Sequence, residues 1–258
     1  VVVNEKIIRS GLFENVILNG SVEDNGTAIG AALAASNILM KKRVAETVTD
    51  FYGRAYVNNE ILTAIEEFSF KFEFVEEDQI YDRVASLLFN NKVVGWFQGR
   101  SEFGPRALGN RSILANPSSP NMKYILDLHI KHRDRYRPYA PVVLEERAGQ
   151  YFDIDGGSPV MMREGKVLKN NFPAITHVDG SARVQTVKEN ENEHFYRLIK
   201  AFDKVSGFPI ILNTSFNLPG EPIVESPTDA LNSFSNGSLE YLCLGNYLVS
   251  RNSRSANI

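Results

Sequence analysis

The stretch VVGWFQGRSEFGPRALGNRSILANP, residues 93–117, predicts two buried strands joined by a cationic loop. The apolar runs at 92–98 and 112–115 are short and end in glycine or proline-containing segments, as is typical of strands in a packed sheet. The loop between them contains three arginines and one glutamate around a Gly-Pro turn. Such a loop can either lie in solvent or present guanidinium and backbone N–H groups to phosphate or carboxylate oxygens.

Apolar periodicity along the rest of the chain predicts a mixture of helices and strands. Helices are predicted at about 80–90, 120–132 and 192–205 and from 226, and strands at 208–216 and, as a closing pair, at 240–250. Because these elements follow one another without a strict βαβ period, they predict an α/β (α+β) domain with a mixed twisted sheet and flanking helices.

The N-terminal part of the chain has a different character. Its apolar start, VVVNEK, predicts a strand or the end of one. Small residues at helical spacing from Ala28 to Leu39 predict a helix packed closely against a neighbouring layer. The segment 44–78 is mixed and partly acidic, with a short helix predicted from about Asn59, and we expect the domain boundary there.

Composition excludes several classes of protein. Sixteen phenylalanines, ten tyrosines and a hydrophobic content of 43% are typical of a packed globular chain rather than a disordered one. The net charge of −3 gives no general attraction to nucleic acid or to an anionic membrane, so any anion must be bound by a local cluster. The single cysteine, Cys243, lies in an apolar run and predicts a buried core residue in a reducing, cytoplasmic compartment, although a periplasmic protein can also be poor in cysteine. No apolar stretch is long enough to span a membrane.

A second cationic cluster, KHRDRYRP, begins at Lys131 and carries a net charge of +3 over its first seven residues. A charge run of this kind is often a solvated face. Here, however, its last arginine, Arg137, is followed by proline and by an apolar segment that predicts a buried strand. Since a buried guanidinium without a partner is costly, we expect Arg137 to meet an anion.

Two polar clusters follow further along the chain. THVDGSARVQT brings together His177, Asp179, Gly180 and Arg183, where His177 is either a general base or a structural histidine. LNTSFNLPGEP ends a predicted strand with Asn213 and a serine hydroxyl, which either contact a ligand or form a local turn. The chain lacks a Walker loop, a dinucleotide fingerprint, a Gly-x-Ser-x-Gly elbow and the Cys/His spacing of zinc sites. A cationic, amide-rich set without a nucleophile suits phosphoryl chemistry.

The four clusters, in this order, resemble the C-terminal, YrdC-like domain of the O-carbamoyltransferases, which carbamoylate nodulation factors, cephalosporins and aminoglycosides. The resemblance extends over about residues 80–250. FENVILNGSVEDNGTAIGAALAA is similar to the end of the family's N-terminal, Kae-like domain, which has an actin-like fold. The resemblance therefore divides the chain into 1–50, a remnant of that domain, 51–78, a connecting segment, and 79–258, the YrdC-like domain.

The resemblance implies a two-stage, ATP-dependent O-carbamoylation. In the YrdC-like domain, carbamoyl phosphate and ATP with Mg²⁺ would give carbamoyladenylate and pyrophosphate. In the Kae-like domain, the carbamoyl group would pass to an acceptor hydroxyl beside a bound metal, for which iron is a candidate. Because carbamate is short-lived in water, a closed cationic cavity suits this chemistry.

The resemblance also implies roles for individual residues. Those expected to bind carbamoyl phosphate and support catalysis are Arg106, Lys131, Arg137 and Arg183, with Asn213 and Ser215 at the carbamoyl end. Those expected to contact the nucleotide are His177, Asp179 and Gly180. Asp24 matches a metal-ligating aspartate of the Kae-like domain, whose histidine ligands belong upstream, so this chain is expected to be incomplete for the full transfer. Arg100 and Arg111 are expected to be supporting charges paired with Glu102, and Asp127 receives no role.

Two other classes of function stay open at this point. A YrdC-like module could bind nucleotide or RNA on a concave basic surface without carbamoyl transfer, although the negative net charge argues against nucleic acid. The chain could also be a non-catalytic scaffold with a silent pocket. The acceptor substrate and the oligomeric state are not predicted.

Overall fold

A computed structural model describes residues 1–21, 24–43, 50–134 and 136–251 of the chain. Arg135 of the basic run lies outside the described residues. The α-helices are α1 (Val2–Ser10), α2 (Asp24–Ile38), α3 (Asn58–Glu66), α4 (Glu77–Phe89), α5 (Met122–Ile125), α6 (Glu193–Ser206) and α7 (Pro227–Asn236). A π-helix (Leu126–Ile130) continues α5, and a 3-10 helix (Glu145–Gln150) follows β4. The strands are β1 (Lys71–Phe74), β2 (Val94–Phe97), β3 (Arg111–Ala115), β4 (Ala140–Leu144), β5 (Arg163–Lys166), β6 (Ser181–Val187), β7 (Ile210–Ser215), β8 (Tyr241–Leu244) and β9 (Tyr247–Ser250).

The strands form one mixed sheet in the order β1-β9-β8-β2-β3-β7-β4-β6-β5. The pairs β2–β8 and β4–β6 are parallel, and the other neighbouring pairs are antiparallel. The predicted α/β (α+β) class with a mixed sheet and flanking helices is therefore confirmed.

Alternation along the strands builds a core on each face of the sheet. On β7, Ile210 and Leu212 join one core, and Ile211 joins the other. Helices α3, α5 and α7 cover the first face, and α4 and α6 cover the second. Successive side chains of a strand point to opposite faces, so a strand buried on both sides reads as a continuous apolar run.

Local signals in the sequence fix the helix ends. Asn192 caps α6 by accepting the N–H of Phe195 at 3.2 Å, and Gly207 ends the helix with φ of 80°. In α7, Ser226 and Asp229 form a reciprocal capping box ahead of a proline in the first turn. A side-chain oxygen at the N-cap satisfies an N–H that has no partner inside the helix.

The N-terminal segment differs from both predictions made for it. The apolar start is helix α1 and not a strand, because Glu5 on its buried face meets the Arg163 guanidinium of β5 at 3.0 and 3.1 Å. Helix α2 forms as predicted, but none of its residues is buried, so the predicted close packing against a neighbouring layer is wrong for this chain. Small side chains permitted that packing without requiring it.

The segment 51–78 contributes to the sheet domain as well as connecting to it. Ile61 and Ile65 of α3 are buried in the core that α7 shares, and β1 pairs with β9 at the sheet edge. The division at residues 50 and 78 remains a prediction. Within the described part of the chain, no helix combines the length and apolar composition that a bilayer crossing needs.

Candidate active site

The face of the sheet that carries α4 and α6 turns polar toward one end. On β6, Ala182 and Val184 point into the core of the opposite face, so Arg183 projects from the polar face by alternation. On β7, Asn213 projects from the same face and pairs across the sheet with Ala140 of β4. In the parallel β4–β6 ladder, Val142 pairs with Gln185. Extending this register by two residues places Ala140 opposite Arg183. The small side chain of Ala140 therefore lies between Asn213 and Arg183, and it is buried in a cluster with Leu108 and Val160.

Four arginines lie close together at this end of the sheet, and only one of them, Arg133, has an acidic partner among the described residues. Burial, together with the charges of Arg106, Arg133 and Arg137, lowers the pKa of Arg183 to about 10. The Arg183 Nε is buried and has no hydrogen-bond partner. Within the described ranges, the guanidinium groups of Arg106, Arg137 and Arg183 form no ion pair. Like charges held together without a counter-ion are typical of a site that binds an anion.

Lys131 connects the basic run to the end of β7 through hydrogen bonds. Its side chain is 8% exposed, and Nζ donates to the Ser215 carbonyl at 2.7 Å and to the Asn217 carbonyl and Oδ1 at 2.9 and 2.8 Å. The Ser215 hydroxyl lies 3.3 Å from Nζ. Burial and the charges of Arg133 and Arg137 lower the pKa of Lys131 to about 7. The structure therefore brings together the lysine, the arginines and the polar end of β7 that the sequence pointed to.

Arg133 is a further candidate residue of this site, to which the sequence-based prediction gave no role. Its Nε pairs with Asp127 at 3.3 Å, its guanidinium lies 4.2 Å from the ring centroid of Tyr139, and its Nη2 is buried without a partner. Asp127 also accepts the Tyr139 hydroxyl at 2.8 Å, so this aspartate holds Arg133 in place. Arg133 follows Lys131 by two positions in the basic run, and this position is the sequence signal for it. The sequence-based prediction uses Arg133 only as part of the net charge of that run.

The loop that carries Arg106 is fixed by buried polar groups. Glu102 Oε1 accepts the backbone N–H groups of Leu108, Asn110 and Arg111 at 2.7, 2.8 and 3.2 Å, and burial raises the pKa of this carboxyl. Gly104, with φ of 144°, makes the turn before Pro105. These bonds hold the loop in place, with the charge of Arg106 near enough to Arg183 to lower its pKa.

The predicted ion pair between the side chains of Arg111 and Glu102 does not form. The Arg111 guanidinium is fully buried, stacks 3.5 Å from the ring centroid of Phe97 and donates to backbone carbonyls. The carbonyls belong to Arg54, Gln98, Gly99, Asn110 and Glu225. Arg100 donates to the carbonyl of Tyr52 at 3.3 Å and likewise has no bond to Glu102. Arg111 is therefore a structural cation that ties the loop to its surroundings.

The predicted nucleotide contacts lie beside the turn that leads into β6. His177 Nδ1 is 3.0 Å from the Ser181 hydroxyl, which is also 2.6 Å from Glu164 Oε1 and 2.7 Å from Asp179 Oδ1. The pKa of the exposed Asp179 is lowered, chiefly by the hydrogen bond from the Ser181 hydroxyl. Gly180, at φ of 79°, makes the turn, and His177 Nε2 is buried without a partner. The structure gathers these residues into one cluster, where Lys166 Nζ donates to the Asp179 carbonyl at 2.6 Å.

The predicted metal ligand, Asp24, is the first residue of α2 and is exposed. In the described segments, the only set of three or more metal-ligating side chains is Glu164, His177 and Asp179, whose ligand atoms lie within 4.8 Å of one another. The Ser181 hydroxyl already lies among those atoms. Asp24 is therefore separate from any such set, and the residues present do not fit a metal site around it.

Comparison with known proteins identifies the chain. Residues 85–251 match the family described as carbamoyltransferase C-terminus. The chain belongs to this family. All six residues predicted for the carbamoyl phosphate pocket lie inside the matched range of this carbamoyltransferase C-terminal domain.

Relatives include nodulation protein NolO of Bradyrhizobium diazoefficiens, 41% identical over 95% of this chain and 46% of the relative. The 3'-hydroxymethylcephem-O-carbamoyltransferase of Amycolatopsis lactamdurans is 35% identical over 85% of this chain and 41% of the relative. The crystal structure of full-length HypF in the phosphate- and nucleotide-bound form covers 71% of this chain and 23% of that chain, at 19% identity and a TM-score of 0.49. The carbamoyltransferase C-terminal chain described here spans about half the length, or less, of the curated relatives it matches.

Proposed function

We propose that this chain binds carbamoyl phosphate and ATP and forms carbamoyladenylate, which the complete protein uses to carbamoylate a hydroxyl acceptor. The observation that carries the proposal is a set of buried polar atoms without partners in and beside the arginine cluster: Arg183 Nε, Arg133 Nη2 and Asn213 Oδ1. Two of these atoms donate to phosphate oxygens, and the third accepts an N–H. Carbamoyl phosphate offers both phosphate oxygens and an N–H₂ group in one small molecule.

The proposed chemistry has two steps. Water cleaves carbamoyl phosphate to carbamate and inorganic phosphate, and a carbamate oxygen then attacks the α-phosphorus of ATP and expels pyrophosphate. Arg106, Arg137 and Arg183 would hold phosphate oxygens, and Lys131 would keep Ser215 and the basic run in register. Because no protein nucleophile is needed, the contribution of the site is position and charge.

His177, Asp179 and Gly180 are proposed nucleotide contacts, and Mg²⁺ would enter with ATP. His177 Nε2, buried and without a partner, supports a contact from this cluster to a ligand. The transfer step and its metal belong to the complete protein, and no step in this chain is assigned to Asp24.

Arg106→Ala and Lys131→Ala are expected to abolish the exchange of labelled pyrophosphate into ATP that depends on carbamoyl phosphate, a loss of about 100-fold or more. Arg100→Ala and Lys92→Ala are matched controls, because Arg100 contacts only a backbone carbonyl and Lys92 pairs with Glu240 at the surface. Circular dichroism checks that each variant folds. Exchange at the wild-type rate in the Arg106 and Lys131 variants would contradict the proposal.

Binding of carbamoyl phosphate is expected to weaken as pH rises above 7. Since burial and neighbouring arginines lower the pKa of Lys131 to about 7, its ammonium is charged below that pH and becomes neutral above it. A single linked proton changes affinity by up to about tenfold per pH unit. Calorimetric titration from about pH 6.5 to 9 measures this, with Lys131→Met expected to bind weakly and without this pH dependence. A flat wild-type profile would show that Lys131 does not titrate there.

A further inference from the structure

Gln185 and Asn213 form a hydrogen-bonded pair beneath the arginine cluster. Both side chains are 2% exposed. Gln185 Nε2 donates to the Leu108 carbonyl at 2.8 Å, and Asn213 Nδ2 donates to Gln185 Oε1 at 2.8 Å and to the Ala107 carbonyl at 3.1 Å. The two amides thus connect adjacent carbonyls of the Arg106 loop with strands β6 and β7.

The direction of this chain of hydrogen bonds is fixed by its ends. Backbone carbonyls only accept, so Gln185 must turn its NH₂ group to Leu108 and its oxygen to Asn213. Asn213 must then use both of its N–H donors, on Gln185 and on Ala107. Rotating the Asn213 amide by half a turn would set its oxygen against two other oxygens.

Asn213 Oδ1 is consequently left as a bare acceptor. It is buried and has no hydrogen-bond partner. Ala140, the cross-strand neighbour of Asn213, lies on the same face of the sheet, between Asn213 and Arg183. A ligand whose phosphate meets the arginines would bring its other end to this oxygen.

We propose that Gln185 is a specificity-determining positioning residue, which fixes Asn213 so that only a hydrogen-bond acceptor faces the carbamoyl end of the ligand. This inference rests on the proposed function, because it concerns how the same pocket selects among acyl phosphates. The pocket should accept an acyl phosphate that carries an N–H group beside its carbonyl and reject one that carries a methyl group there.

Acetyl phosphate is the discriminating probe, since it replaces the NH₂ group of carbamoyl phosphate with a methyl group of similar size. Its methyl group would cover Asn213 Oδ1 without giving it a hydrogen bond. A buried acceptor left unpaired is unfavourable, and we expect carbamoyl phosphate to bind about tenfold or more tightly than acetyl phosphate. Inorganic phosphate, which reaches only the arginines, reports on the cationic part of the pocket separately.

The test is calorimetric titration of the chain with these three compounds. In the wild type, we expect the selectivity for carbamoyl phosphate over acetyl phosphate to be about tenfold or more. Asn213→Leu should abolish that selectivity and Gln185→Met should reduce it severalfold, each with the affinity for inorganic phosphate nearly unchanged. Gln185→Glu should retain the selectivity ratio at a pH where its carboxyl is protonated, because the acid then donates to the Leu108 carbonyl and still accepts from Asn213 Nδ2.

Gln98→Met is the matched control, because Gln98 is another buried glutamine whose amide donates to a backbone carbonyl, that of Gly245, outside this pair. It should leave the selectivity unchanged. Equal wild-type affinities for the two acyl phosphates, with inorganic phosphate bound, would overturn the role of Gln185 and Asn213 and leave the phosphate pocket intact. If none of the three compounds binds, the proposed function itself is overturned.

Discussion

Arg183→Met is expected to stabilise the unliganded protein and to abolish its binding of carbamoyl phosphate. Desolvation, together with the charges of three neighbouring arginines, lowers the pKa of Arg183 from 12.5 to about 10. A pKa change of that size corresponds to roughly 3 kcal/mol of unfavourable free energy for the charged side chain. Methionine keeps much of the apolar stem and removes the charge, so a net gain of about 1 to 2 kcal/mol in the free energy of unfolding is expected.

Thermal denaturation with and without phosphate separates the two effects. Without ligand, the variant should melt about 3 to 6 °C above the wild type. Inorganic phosphate or carbamoyl phosphate should raise the Tm of the wild type, because a ligand that binds only the folded state stabilises it, and should leave the variant unchanged. A variant that melts lower than the wild type and still gains stability from phosphate would show that Arg183 is a structural cation.

Arg111→Met is expected to have the opposite effect on stability. The Arg111 guanidinium is more deeply buried than that of Arg183, yet it donates to five backbone carbonyls and stacks on Phe97. Methionine would leave those carbonyls without their donor, and removing one side of a buried charged network costs about 3 to 5 kcal/mol.

Denaturant unfolding monitored by the single tryptophan measures this loss, because Trp96 lies in β2 beside the loop and bonds to the Gly109 carbonyl. Arg251, another arginine that donates to backbone carbonyls but lies at the end of the described chain, gives a comparison in Arg251→Met, which should lose less stability. Stability of Arg111→Met within about 1 kcal/mol of the wild type would contradict the structural role assigned to Arg111.

The sequence predicted the sheet better than it predicted the partners of individual charges. Buried strands such as β2 and β7 appear as short apolar runs because both of their faces are covered, and no long-range information is needed to find them. The start of the chain was misjudged because Glu5 is paired with Arg163, far away in sequence, and this pair favours a buried helix face over a strand.

The arginines illustrate the same limit within the site. The sequence alone does not distinguish the roles of Arg106 and Arg111, since both lie in one glycine-rich loop. The two residues differ in which backbone carbonyls lie within hydrogen-bond distance of the guanidinium. For Arg111 these include the carbonyl of Glu225, which is distant in the sequence. Gln185 lies inside the polar stretch THVDGSARVQT without a predicted role, because its pairing with Asn213 exists only once β4, β6 and β7 are side by side.

A crystal structure of the chain soaked with carbamoyl phosphate tests the central claim most directly, namely that the arginine cluster and Asn213 form one ligand site. The phosphate is predicted to lie against Arg106, Arg137 and Arg183, with the carbamoyl nitrogen within hydrogen-bond distance, about 3 Å, of Asn213 Oδ1. An empty pocket at saturating ligand, or a phosphate bound away from Arg183, would contradict the account.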